Sequence, residues 1–75
     1  MKRVGEVVRT AQGLLVVRSP DDSHPGIGAG VLDENLDSVG RVVDVFGPVS
    51  RPYVAVTPES DVTPALLLGD ALYTR

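Results

Sequence analysis

The side chains able to do chemistry are few and poorly grouped. The only histidine is His24, in a stretch that also holds Asp21 and Asp22. A histidine beside two carboxylates could serve as a general base or help to bind a metal. Here the three stand on adjacent loop positions, with no framework to fix the geometry that either task requires. Asp33, Glu34 and Asp37 lack the glycine and the terminal glutamate of a calcium loop. Gly26-Ile27-Gly28-Ala29-Gly30 is glycine-rich, but no phosphate-binding lysine accompanies it and no full helix follows. With no cysteine in the chain, disulfide staples and thiolate-held zinc are excluded. The expectation is a protein without catalytic residues, cofactor or metal. A small enzyme or metal protein built on His24 is the reading that a His24→Ala substitution would separate.

The segment with the most to offer is apolar. Gly40-Arg41-Val42-Val43-Asp44-Val45-Phe46-Gly47-Pro48-Val49-Ser50-Arg51-Pro52-Tyr53 places Phe46, Pro48, Val49, Pro52 and Tyr53 around one connection. Two prolines lower the entropy cost of holding a surface there, and aromatics are good interface anchors. Phe46 and Tyr53 either fill a small core or face outward as a docking patch. Composition leaves both open.

These residues need a scaffold, and 75 residues of 7.9 kDa allow one domain, expected over residues 1–75. A chain of this length buries only about 60% of the surface that its unfolded form exposes. Hydrophobic residues make up 43%, enough to argue against disorder. Short Val-rich runs alternate with Gly and Pro. Val4 to Arg9 reads as a strand with Val4, Glu6 and Val8 on one face and Gly5, Val7 and Arg9 on the other. Thr10 to Gly13 reads as a turn and Leu14 to Arg18 as a second strand, forming a hairpin. Ser19 to Gly30 is loop, with Ile27 expected to pin it to the core. Gly30 to Leu32 is a short strand and Asp33 to Asp37 a polar turn.

Ser38 to Gly47 is the clearest strand, although its parity is imperfect. A bulge near Asp44 would bring Val42 and Val45 to the same side. Gly47-Pro48-Val49 bends the chain into a strand from Pro52 to Val56. Thr63 to Gly69 has the composition of a helical turn, with Thr63 as cap, Pro64 at the first position and Gly69 at the end. Asp70 to Thr74 closes the series as a strand. Six short strands cannot form a large sandwich, and a small closed barrel removes the exposed edges. The fold expected is therefore all-β, a closed six-stranded antiparallel barrel with one short helical turn.

Charge narrows the partners. The net charge is −3, from 7 basic and 10 acidic residues. A polyanion binder usually shows the opposite sign, so direct nucleic-acid binding is disfavoured. Residues 1–18 carry Lys2, Arg3, Arg9 and Arg18 against Glu6, while residues 19–39 hold Asp21, Asp22, Asp33, Glu34 and Asp37. The acidic, Lys-poor composition suits a halophilic source. No apolar run is long enough to span a membrane, and no signal peptide is expected, because Gly5 and Glu6 fall where its apolar region should begin. A cytoplasmic location without membrane contact is the expectation. The isolated chain is expected to be a monomer or a weak self-associate.

The 40–53 run resembles the small barrel protein of H/ACA ribonucleoproteins, the family known for the glycine-arginine-rich tails of its eukaryotic members. That family's run has the form Gly-x-Val-x-x-(Val/Ile)-(Phe/Leu)-Gly-Pro-Val-x-x-Pro-Tyr. Gly40, Val42, Val45, Phe46, Gly47, Pro48, Val49, Pro52 and Tyr53 fit it. Lys2 to Val7, Ile27-Gly28 and Gly69 to Tyr73 resemble its opening strand, third-strand entry and closing strand. The tails are missing, so the chain looks like the compact archaeal form.

The resemblance implies a barrel of the translation-factor and reductase type. It further implies a non-catalytic regulatory subunit of an H/ACA guide-RNA pseudouridylation complex, active in rRNA modification and ribosome biogenesis. Such a subunit docks on the catalytic domain of the pseudouridine synthase, meets guide RNA only indirectly, and influences substrate loading and release. By carry-over, the docking region is Val42, Phe46, Gly47, Pro48, Val49, Pro52 and Tyr53, with Val42 and Val45 expected inside and Pro48 and Val49 outside. The rival family reading is a photosynthetic-reaction-centre-type barrel adaptor. Those domains share Gly-x-Val-x-Asp-Val, but do not characteristically continue with Phe-Gly-Pro-Val-x-x-Pro-Tyr.

Overall fold

A computed structural model describes all 75 residues. The strands are β1 (Lys2–Ala11), β2 (Leu14–Arg18), β3 (Gly30–Leu32), β4 (Ser38–Phe46), β5 (Tyr53–Pro58) and β6 (Ala71–Thr74). One 3-10 turn, Pro64–Leu67, lies between β5 and β6. Every pairing is antiparallel, and the order β1-β2-β5-β4-β3-β6 closes into a barrel. The all-β six-stranded barrel expected from the sequence is the fold observed.

Local chemistry explains the joints. Gln12 and Gly13 both have positive φ, 53° and 78°, the geometry of a two-residue hairpin turn whose twist matches its strands. The β3–β4 turn is held by Asp33, whose Oδ1 accepts from the amides of Asn35 at 2.8 Å and Asp37 at 3.0 Å. A short carboxylate of this kind substitutes for missing backbone partners. Thr63 makes no side-chain capping bond, contrary to expectation. The turn it precedes is only four residues long.

Ten side chains fill the barrel: Val4, Val7, Leu15, Val17, Val31, Val39, Val42, Val54, Val56 and Leu72. Bulges decide which residues join them. In β4 the register shifts between Val42 and Asp44, so Val42 opposes Val56 while Val45 opposes Val54. Val42 and Val45 therefore share the inner side, as the broken parity predicted, and Val43 is lifted outward and exposed.

In β1 the strict alternation expected over Val4 to Arg9 does not hold. The register shifts twice, between Arg3 and Gly5 and between Val7 and Arg9. Val4 and Val7 consequently both point inward, and Val8 is exposed. Ile27 is also a correction: it is 67% exposed, because the glycines around it form a turn that holds it off the barrel. No helix is long and apolar enough to cross a membrane.

Closure is weakest between β3 and β6, where Leu32 and Tyr73 are the only aligned pair. Backbone amides along that seam are expected to exchange with solvent faster than those of the β2–β5 ladder, which aligns Leu15 through Arg18 with Val56 through Tyr53. Hydrogen-exchange spectroscopy measures the difference, and equal protection of both ladders would contradict it.

Candidate interaction surface

The corner between β4 and β5 is built by residues that end one strand and aim the next. Gly47 takes a φ of 88°, a left-handed conformation that turns the chain out of β4 at low steric cost. Pro48 offers no N–H, and its carbonyl accepts from the Arg51 amide at 3.2 Å, closing a tight turn. Pro52 then returns the chain to β5. A second strap crosses from the end of β2: the Ser19 amide donates to the Pro52 carbonyl at 3.0 Å, and Arg51 Nε donates to the Ser19 carbonyl at 2.9 Å. The corner is thus braced from both strands and from a third segment.

On this brace, Phe46 and Tyr53 face each other across the β4–β5 ladder. Their rings stack with centroids 5.5 Å apart and an interplanar angle of 19°, an attractive arrangement beyond simple area burial. Arg18 of β2 lies alongside, donating from Nη1 to Tyr53 Oη at 2.8 Å. Its guanidinium carbon sits 4.8 Å from the Tyr53 ring centroid, within cation–π range. Glu6, Arg18, Tyr53 and Phe46 form one register row across β1, β2, β5 and β4. The adjacent row, Val7, Val17, Val54 and Val45, faces the core.

The residues predicted for docking divide between interior and surface. Val42 is 1% exposed and belongs to the core. Pro52 is buried too, where its carbonyl receives the Ser19 strap. Both therefore support the surface without being part of it. Val49 is 89% exposed, the most exposed of the large apolar side chains. Gly47 and Pro48 are exposed beside it, Phe46 is 38% exposed and Tyr53 is half-buried. The two aromatics thus fill no barrel interior. They form a platform behind an apolar tip.

Sequence reasoning missed Arg18 and Arg9, whose guanidinium carbons approach the Tyr53 ring at 4.8 and 6.0 Å. It also missed the exposed Val43 and Val8. The valines carried a legible signal, since each belongs to a Val-Val doublet that strict alternation cannot place. The arginines carried none, because only long-range strand pairing brings them to Tyr53.

His24 is exposed in its loop, with Nδ1 3.0 Å from the carbonyl oxygen of the neighbouring Pro25. Asp21 is engaged locally, accepting at Oδ1 from the Ser23 amide. No three His, Cys, Asp or Glu side chains are grouped so as to hold a metal ion.

Comparison with known proteins bears on this surface. The family described as "Gar1/Naf1 RNA binding region" matches residues 1–75. An uncharacterized protein of Methanothermobacter thermautotrophicus is 30% identical over 97% of the chain and 82% of its own length. The H/ACA ribonucleoprotein complex subunit GAR1 of Chaetomium globosum is 27% identical over 93% of the chain. The same subunit of Botryotinia fuckeliana is 25% identical over an equal share. The chain spans about a third of each fungal subunit, 34% and 32%.

Proposed function

Because the chain belongs to the Gar1 family, we propose that it is a non-catalytic regulatory subunit of an H/ACA guide-RNA pseudouridylation complex. It docks on the catalytic domain of the pseudouridine synthase and modulates loading and release of substrate RNA, in the service of rRNA modification and ribosome biogenesis. It meets guide RNA only through the assembled complex, and its place of work is the cytoplasm. The names of the fungal relatives support the complex. The net charge of −3 supports a protein partner over a polyanion.

The observation that carries the docking reading is the braced corner. Val49 stands almost fully in solvent on a turn fixed by Gly47, Pro48 and the Ser19 strap, next to the stacked Phe46–Tyr53 pair. Isolated exposed valines are ordinary. One held out on a turn with little freedom left to lose, beside aromatic anchors, is suited to insertion in a partner's pocket. Docking can shift a loop equilibrium in the synthase only by the difference in contact energy between the loop's states. The subunit therefore acts as a bias on loading and release.

Val49→Asp tests the reading. The substitution places a carboxylate where burial is expected and touches no core residue. Affinity for the synthase should fall by about tenfold or more, while the melting temperature stays within a few degrees of the parent. Co-purification and calorimetric titration measure the affinity. A folded variant that binds as well as the parent would remove the corner from the interface.

A further inference from the structure

The aromatic platform is surrounded by arginines that lack acidic partners in their hydrogen bonds. Arg18 donates to the Tyr53 hydroxyl, and Arg51 donates to the Ser19 carbonyl. Arg18 Nε is buried with no acceptor at all. Arg9 adds a third guanidinium, 6.0 Å from the Tyr53 ring. The hollow beside them is lined by Arg3, Arg18 and Arg51, with Glu6 as its one carboxylate. In a protein of net charge −3, this is a local excess of cations. The acidic residues Asp33, Asp37, Glu59 and Asp61 gather at a separate hollow, by the start of β4 and beyond the end of β5.

Taking the docking reading as its basis, we infer that the partner surface covering Val49 and Phe46 presents carboxylates to Arg18 and Arg51. Arg18 is prepared for this role. The bond from Nη1 to Tyr53 Oη and the approach to the Tyr53 ring hold its guanidinium in place, and a held guanidinium recognises a carboxylate with little further loss of freedom. Exposed apolar side chains accompany the cations: Val8 lines the same hollow, Phe46 stacks on the Tyr53 ring that Arg18 approaches, and Val49 is two positions from Arg51 on the exposed turn. Aromatics and arginine around an apolar centre are the composition of protein interfaces. A phosphate backbone would leave the valines without a complement. The occupant is therefore an acidic, partly apolar protein segment.

The test uses the full chain and the pseudouridine synthase catalytic subunit encoded in the same genome, titrated at low and high salt. Three variants are compared: Arg18→Glu with Arg51→Glu, Arg51→Glu alone, and Val49→Asp. The double reversal should weaken binding by about 30-fold at low salt and flatten its salt dependence. Arg51→Glu alone keeps the test valid if the double variant melts early: it removes the bond to the Ser19 carbonyl but leaves the Ser19–Pro52 strap. It should weaken binding by about fivefold at low salt and much less at high salt, a salt dependence that a merely loosened corner would not give. Parent-like affinity of both arginine variants, with Val49→Asp still impaired, would overturn the acidic-partner inference and leave the docking reading standing. Parent-like affinity of all three would overturn both. Unchanged synthase affinity with lost affinity for a guide-RNA oligonucleotide would assign the arginines to nucleic acid and overturn the inference.

Discussion

Gly40→Ala is expected to cost the barrel a large part of its stability, because a single added methyl group would collide with backbone of the neighbouring strand. Gly40 lies inside β4, opposite Val31 on one side and Pro58 on the other. A Cβ there would overlap the Thr57 carbonyl oxygen and stand 2.8 Å from the Thr57 carbonyl carbon. The obstacle is backbone, so no rotamer change can relieve it. Either β5 moves away and breaks the β4–β5 ladder, or β4 shifts into β3.

The cost is about 4 kcal/mol, at the upper end for overpacking because a ladder is lost as well. A domain of this size has roughly 4–11 kcal/mol in total. Circular dichroism of the variant should show a melting temperature lowered by roughly 16–32 °C. A melting temperature within a few degrees of the parent would mean that the strands separate at low cost, and that this account of Gly40 is wrong. Gly5 is the parallel case in β1. It has a φ of 149°, and a Cβ placed there would overlap the Arg18 carbonyl oxygen.

That constraint was not legible in the sequence. Gly40 read only as one position within the Ser38–Gly47 strand, and the three-dimensional approach of Thr57 is what shows why no side chain fits. Other features were readable because local chemistry determines them. Leu14–Arg18 and Gly30–Leu32 have the boundaries that Gly and Pro punctuation implied. The β4 bulge followed from the impossibility of putting Val42, Val43 and Val45 in one alternating register. The same argument applies to Val7-Val8: strict alternation puts Val4 and Val7 on opposite faces, whereas the two bulges of β1 turn both inward. Ile27 shows the opposite error: hydrophobicity suggested burial, but the turn geometry left no route inward.

The interaction surface divides in the same way. Pro48 and Val49 were expected outward from the resemblance, and the bend made by Gly47 and the two prolines accounts for their exposure. The fate of Pro52 was not legible, since its burial depends on a strap from Ser19, 33 positions earlier in the chain. Arg18 and Tyr53 are 35 positions apart, and only the β2–β5 ladder joins them. A short motif can record a bend. The cation placed beside the bend by another strand belongs to the topology.

Leu72→Ala should separate the fold from the surface it presents. Leu72 is fully buried on β6, opposite Gly5 of β1, and β6 also carries the seam with β3. Removing three carbons there leaves a cavity in a core of only ten side chains. Neighbouring strands pinned by close glycine approaches have little room to collapse into it, so the cost is about 3 kcal/mol, or roughly 12–24 °C in melting temperature for a domain this small. The corner from Gly47 to Pro52 is braced through β2, β4 and β5, and its bonds to Ser19 do not pass through β6. Below its lowered melting temperature, the Leu72→Ala variant is therefore expected to bind the synthase with parent-like affinity. Val49→Asp should do the reverse, binding poorly while melting normally. If Leu72→Ala weakened docking at 10 °C while still folded, the corner would depend on closure of the whole barrel, and the site could no longer be treated as a locally braced turn.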